Sequence, residues 1–166
     1  MLDIDYKLNM KVMQEMGLEE GDRRRVIDQD TEEICCLGNK DIVTPGSQSG
    51  KNAIEFDPVN NPRMMNKLFA EFVDKLYEEE SIDSSCVSYG TFQDKNTKKN
   101  TARAIFEDGS TIESGSYKNE GLALIDIVFQ LNGEENVDLT EYDNVDRSKP
   151  APVKPKTVKK KMRDDK

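Results

Sequence analysis

The sequence predicts an α+β fold: antiparallel sheet with helices packed on one face, followed by a disordered basic C-terminal tail. Three observations carry that expectation. Two segments, Pro62 to Glu79 and Glu120 to Leu131, repeat apolar residues at the three- and four-residue spacing of a buried helical face. Between them, strand-like runs flank Asp108-Gly109, a strong short hairpin signal. At Arg147 the composition changes to Lys and Pro with almost nothing apolar, which sets a body over 1–146 and a tail over 147–166.

Taken in order, the first element is a short helix from about Leu8 to Met16, closed by Gly17, with Leu8, Val12, Met13 and Met16 on one side. Arg24 to Gln29, Glu33 to Leu37 and Asp41 to Thr44 read as a meander turning at Gly38-Asn39, and Ala53 to Phe56 as a further short strand. The first long helix opens with Pro62, suited to its first position, after Asn60 or Asn61 as cap. Met65, Leu68, Phe69, Phe72, Val73 and Leu76 form its buried face; Glu71, Asp74 and Glu78 lie opposite. Cys86 to Phe92, Thr101 to Glu107 and Ser110 to Ser114 make a second set of strands, the first two joined by the polar loop Asp94 to Asn100. The last helix has Asn119 as cap and Gly133 just past its end. Being apolar around much of its circumference, it is expected at the centre. Strands followed by a helix, twice over, hint at two related halves, but too few residues match to make a repeat.

The formal charge of -9 conceals a division. Arg147 to Lys166 holds nine bases and two acids, a net of +7, so residues 1–146 carry -16. The first residues, Met1-Leu-Asp-Ile-Asp-Tyr6, carry acids where a secretory signal needs bases, and no apolar run approaches a membrane span. A cytoplasmic protein is expected. The three cysteines, Cys35, Cys36 and Cys86, cannot complete a disulfide framework and read as reduced thiols serving as small hydrophobes.

Motifs with chemistry are mostly rejected. Gly46-Ser-Gln-Ser-Gly50-Lys51-Asn52 has one residue too few for a phosphate loop and Asn where Ser or Thr must hold magnesium. Asp94-Lys-Asn96-Thr-Lys98 lacks the oxygens, glycine and glutamate of a calcium loop. Asp28-Gln-Asp30 and Asp3-Ile-Asp5 pair carboxylates on one side of an extended chain and read as solvated surface pairs. The chain has no His, the commonest general base and transition-metal ligand. No catalytic residue, cofactor site or metal site is therefore assigned, and a non-enzymatic binding role is expected.

Asp28-Gln-Asp-Thr31, the segment Glu55-Phe-Asp-Pro-Val-Asn-Asn61 leading into Met64-Met-Asn-Lys-Leu-Phe69, and the run from Ser116 to Asp126 resemble small uncharacterised proteins of large contractile-tailed phages of Gram-positive bacteria. The likeness spans about Asp28 to Gly133 and carries over no catalytic residue. It implies a phage setting, in which small acidic proteins bind and disable host machinery.

Two acid clusters become the expected partner-binding residues. Glu71, Asp74, Glu78, Glu79, Glu80 and Asp83 lie along and beyond the first long helix; Glu134, Glu135, Asp138, Glu141, Asp143 and Asp146 follow the last one. Acids at a helix C-terminus oppose its macrodipole, so stability alone does not explain them. Solubility is one reading. The sharper one is mimicry of DNA: the body occupies the basic channel of a host DNA-binding protein such as RNA polymerase and inhibits it. A virion structural or assembly component is the alternative. Lys154, Lys156, Lys159, Lys160, Lys161 and Arg163 of the tail are the expected contacts to nucleic acid or another acidic surface, or else they screen the acidic body itself.

Overall fold

The computed structural model describes residues 1–147. The tail lysines, Arg163 and the expectation of disorder over 148–166 lie outside the described residues.

Helix α1 spans Asp3–Glu15, five residues earlier than its apolar stripe marks. Asp3 and Asp5 in its first turn suit the positive end of the helix dipole, a signal separate from hydrophobic periodicity. Asp5 is no solvated surface acid, as the sequence pairing had it. It is fully buried and grips the guanidinium of Arg147 through two contacts, Nε to Oδ2 at 2.8 Å and Nη2 to Oδ1 at 2.6 Å. Arg147, the first residue assigned to the tail, is thus fastened to the body.

Strand β1 (Leu18–Glu20) pairs antiparallel with β2 (Val26–Asp28) around a 3-10 turn at Asp22–Arg24. Strands β3 (Cys36–Leu37) and β4 (Lys40–Val43) form the expected hairpin, and β5 (Ala53–Glu55) adds to β4 in parallel. Isolated bridges Arg25–Val43 and Ile27–Ile34 link these two small sheets. Helix α2 (Pro62–Glu78) follows, with Pro62 in its first turn; Asn61 stands at the cap position without a side-chain bond there. Asp57 instead organises the approach, accepting from Asn60 N at 3.3 Å and from Asn9 Nδ2 at 2.8 Å.

The third sheet is antiparallel: β6 (Cys86–Gln93), β7 (Asn100–Phe106) and β8 (Thr111–Glu113) in that order. Helix α3 (Glu120–Leu131) packs on its inner face, where Ala102, Ala104 and Phe106 are buried. Asn119 caps α3 as the sequence predicts, its side chain accepting from Leu122 N at 3.0 Å. Every residue from Gly121 to Phe129 is buried, which makes α3 the centre of the core. Phe56, Phe69, Met64, Met65 and Leu8 surround it. A short helix, α4 (Thr140–Asp143), closes the described chain.

The one polar residue in the buried stretch of α3, Asp126, is 1 % exposed and fully occupied. It accepts from Gly115 N at 3.0 Å, Tyr117 Oη at 2.7 Å and Gln130 Nε2 at 2.6 Å. Tyr117 Oη in turn accepts from Leu139 N at 3.2 Å. Burial, then the Asp126 carboxylate, holds the phenol far above its usual range. These bonds staple the end of β8 and the segment before α4 to the central helix.

Candidate functional site

Helix α2 buries Met64, Met65, Leu68, Phe69, Phe72, Val73 and Leu76, so its remaining positions must face water. Glu71, Asp74 and Glu78 occupy that outer face, and Glu79, Glu80 and Asp83 continue past the helix end; all six are exposed. The structure adds a second wall. An open groove of about 530 Å³ runs between α2 and the segment from Asp28 to Cys36. Asp28, Asp30 and Glu33 line it opposite Glu71, Asp74, Glu78 and Glu79, with Lys67 and Lys75 as its only bases among the described residues.

Carboxylates crowd in this groove. Lys75 Nζ reaches Asp28 at 3.4 Å and Asp30 at 3.1 Å, so one cation serves two acids. Glu79 lies against Asp30, and that contact holds the Glu79 carboxyl above its ordinary value. The Asp30 carboxyl is held below, by Glu79 first and Lys75 second. Burial, Glu71 and Asp28 push the Cys35 thiol at the groove wall up to about 11. The three cysteines are free.

Of the pair Asp28-Gln-Asp30, read from sequence as solvated, Asp30 is exposed while Asp28 is partly buried. Asp28 Oδ1 accepts from Asp30 N at 2.8 Å and Thr31 N at 3.1 Å, an Asx turn that ends β2 and aims the segment across the groove. Strand alternation does not place the pair, because β2 ends at Asp28 and Asp30 lies in the turn that follows. The sequence carried no sign of α2 opposite, because that proximity is tertiary.

The second acid cluster has structural work. Asp143 accepts from Lys118 N at 2.8 Å and Asn119 N at 3.0 Å, holding the entry to α3. Asp138 accepts from Thr140 N at 3.0 Å and from the Thr140 hydroxyl, which starts α4. Glu134 contacts Lys11 at 3.4 Å and crowds Glu15, whose carboxyl is raised by burial first and Glu134 second. Local bonding thus accounts for Asp138 and Asp143, where the helix-dipole argument had seen only cost, while Glu134 gains Lys11 and strains Glu15. Glu135, Glu141 and Asp146 are exposed, and Asp146 is not without a partner. The clusters converge on the end of α1: Glu15 meets Glu134, while a Cβ added at Gly17 would lie 3.1 Å from Lys75 Nζ.

Of the rejected motifs, Asp94 has a plain role: its Oδ1 accepts from Asn96 N and Thr97 N, both at 2.8 Å, and turns the loop between β6 and β7. Among the described residues, no group of three or more His, Cys, Asp and Glu is placed to hold a metal ion, and no helix is long and apolar enough to cross a membrane. No protein-family model, curated protein or solved structure matches the chain.

Proposed function

We infer that this is a non-enzymatic acidic protein of phage type that binds a basic nucleic-acid channel on a host protein, such as RNA polymerase, and inhibits it by standing in for DNA. The reading places it in the host cytoplasm. The observation that carries it is the spacing of exposed carboxylates on α2. Glu71, Asp74 and Glu78 of α2 and Glu79 at its C-cap cover eight steps of the chain, about 12 Å at 1.5 Å per residue. That is one charge per roughly 4 Å of helix axis, close to the roughly 3.4 Å of duplex axis per phosphate of one DNA strand. Asp28, Asp30 and Glu33 supply a second line across the groove, as a duplex supplies a second strand.

The proposal rests on the α2 groove, since Asp138, Asp143 and Glu134 are engaged in the fold. Glu71, Asp74, Glu78 and Glu79 changed together to Lys should abolish competition with DNA while the fold survives, because all four side chains are exposed. The assay is displacement of labelled duplex from RNA polymerase or a nucleoid protein, at rising salt. Competition by the parent should weaken steeply as the Debye length falls from about 10 Å at 0.1 M to about 3 Å at 1 M. If the parent displaces no duplex at low salt, or the reversed variant matches it, the mimic reading is dead.

A further inference from the structure

The sheet of β6, β7 and β8 has two edges, and they are treated differently. The β8 edge is three residues long, and Gln130 Nε2 takes the Glu113 carbonyl there at 2.9 Å. The β6 edge is eight residues long. Its pairing parity shows which backbone groups face outward. Asp94 N donates to Lys99 O, and Phe92 opposite Thr101 and Gly90 opposite Arg103 follow on the same parity. Alternate residues of β7 bond the other way, Ser114 N donating to Ala102 O and Phe106 N to Ser110 O. Tyr89, Thr91 and Gln93 therefore turn their N–H and C=O groups away from β7. Among the described residues nothing pairs with them.

Exposed edges usually carry a charge or a proline that blocks further pairing. Cys86–Gln93 has neither. A register shift between Cys86 and Ser88 leaves Ser88 to Gln93 as the regular stretch. Val87 and Phe92, at 61 % and 57 %, are the most exposed large apolar side chains among the described residues, and both are on this strand. The two ends of β6 differ in charge. Glu78, Glu79, Glu80 and Asp83 precede it; Lys95, Lys98 and Lys99 follow it. A parallel neighbour would set like on like, whereas an antiparallel copy sets each acidic end beside a basic one.

We propose that β6 pairs antiparallel with β6 of a second copy, joining two three-stranded sheets into one of six strands. A two-fold axis at Gly90 exchanges Tyr89 with the partner's Thr91, so the outward amides and carbonyls of both satisfy each other. It puts Gly90 against the partner's Gly90, where no side chain obstructs. Phe92 lies over the partner's Ser88, next to Val87, and Asp83 turns toward the partner's Lys95 to Lys99 loop.

Sedimentation equilibrium of the full chain tests this. The parent is expected to dimerise at about 100 µM, the range of a small interface, and more weakly at high salt. Thr91→Pro removes an outward N–H that β7 does not use, and Phe92→Lys places a charge at the seam; each should weaken dimerisation at least about tenfold. Circular dichroism checks that both fold. A parent that stays monomeric overturns the proposal. So does undiminished dimerisation of folded Thr91→Pro, or of Phe92→Lys should the proline variant not fold.

Discussion

At Cys35, burial, Glu71 and Asp28 all favour the neutral thiol, and the effect is large enough to measure. A shift from 9.0 to about 11 leaves about a hundredfold less thiolate at neutral pH, and the thiolate is the species that reacts. Iodoacetamide should label Cys35 about a hundredfold more slowly than a free thiol, and Glu71→Gln should quicken it. Equal rates in the parent and the variant would show that Glu71 does not act on the thiol. The Glu15 carboxyl is shifted in the same direction. It is raised by burial and by Glu134, so the folded state holds its proton more tightly than the unfolded chain does. Stability from that preference is complete below the unfolded value, near 4.5, and is lost as pH rises through the raised folded value. Ionised Glu15 thus strains the protein at neutral pH. Glu15→Gln keeps an acceptor for Asn132 Nδ2 and should raise stability at pH 7, by less than about 1 kcal/mol given its partial exposure. The gain should shrink as pH falls below 4.5; urea melts at pH 7 and pH 4 decide it.

Between elements, the first turn of α3 makes one close approach to the segment that leads into α2. A Cβ built on Gly121 would stand 2.2 Å from the Pro58 carbonyl oxygen, and backbone offers no flexible side-chain end to swing aside. Gly121→Ala should destabilise by about 1–3 kcal/mol, the usual cost of overpacking a tight site, although Ala is the better helix former. A neutral or stabilised variant in a thermal melt would mean that the helix slides freely. This contact also marks where sequence reading ends. Gly121 in an apolar helix says only that something passes near; Pro58, sixty-three residues earlier, is invisible until the fold is known. Elements fixed by their own periodicity were legible: α2 and α3 from apolar spacing, the β7–β8 hairpin from Asp108-Gly109, the α3 cap from Asn119. Those resting on other signals were not. Strand β1 has three residues, two of them Glu, and the first turn of α1 shows acids rather than a stripe. The candidate groove was half legible for the same reason: α2 announced its carboxylates, while Asp28, Asp30 and Glu33 join them only through the packing of the β2–β3 segment on the helix.

For the molecule as a whole, the charge split at residue 147 that composition draws does not coincide with the last fixed contact. Arg147 counts as a tail base by composition, yet only 15 % of its side chain is exposed and it answers a carboxylate exposed by 1 %. Asp5 belongs to the first turn of α1, so this pair ties the two ends of the described chain together across 142 positions. Chains ending at Ser148 and at Asp146 differ in little besides that pair. The shorter leaves Asp5 buried without its cation, and breaking a buried pair from one side costs about 3–5 kcal/mol. At roughly 2–4 °C per kcal/mol for a chain of this size, the Asp146 truncation should melt about 10 °C below the Ser148 one. A second comparison separates the cost of breaking the pair from the pair's own worth. Asp5→Leu combined with Arg147→Met replaces both charges with apolar groups, and buried ion pairs replaced in that way often cost nothing. The double variant should therefore melt above the Asp146 truncation and near the parent. If the two truncations melt together, Arg147 does not hold the ends of the fold, and the body is complete at Asp146.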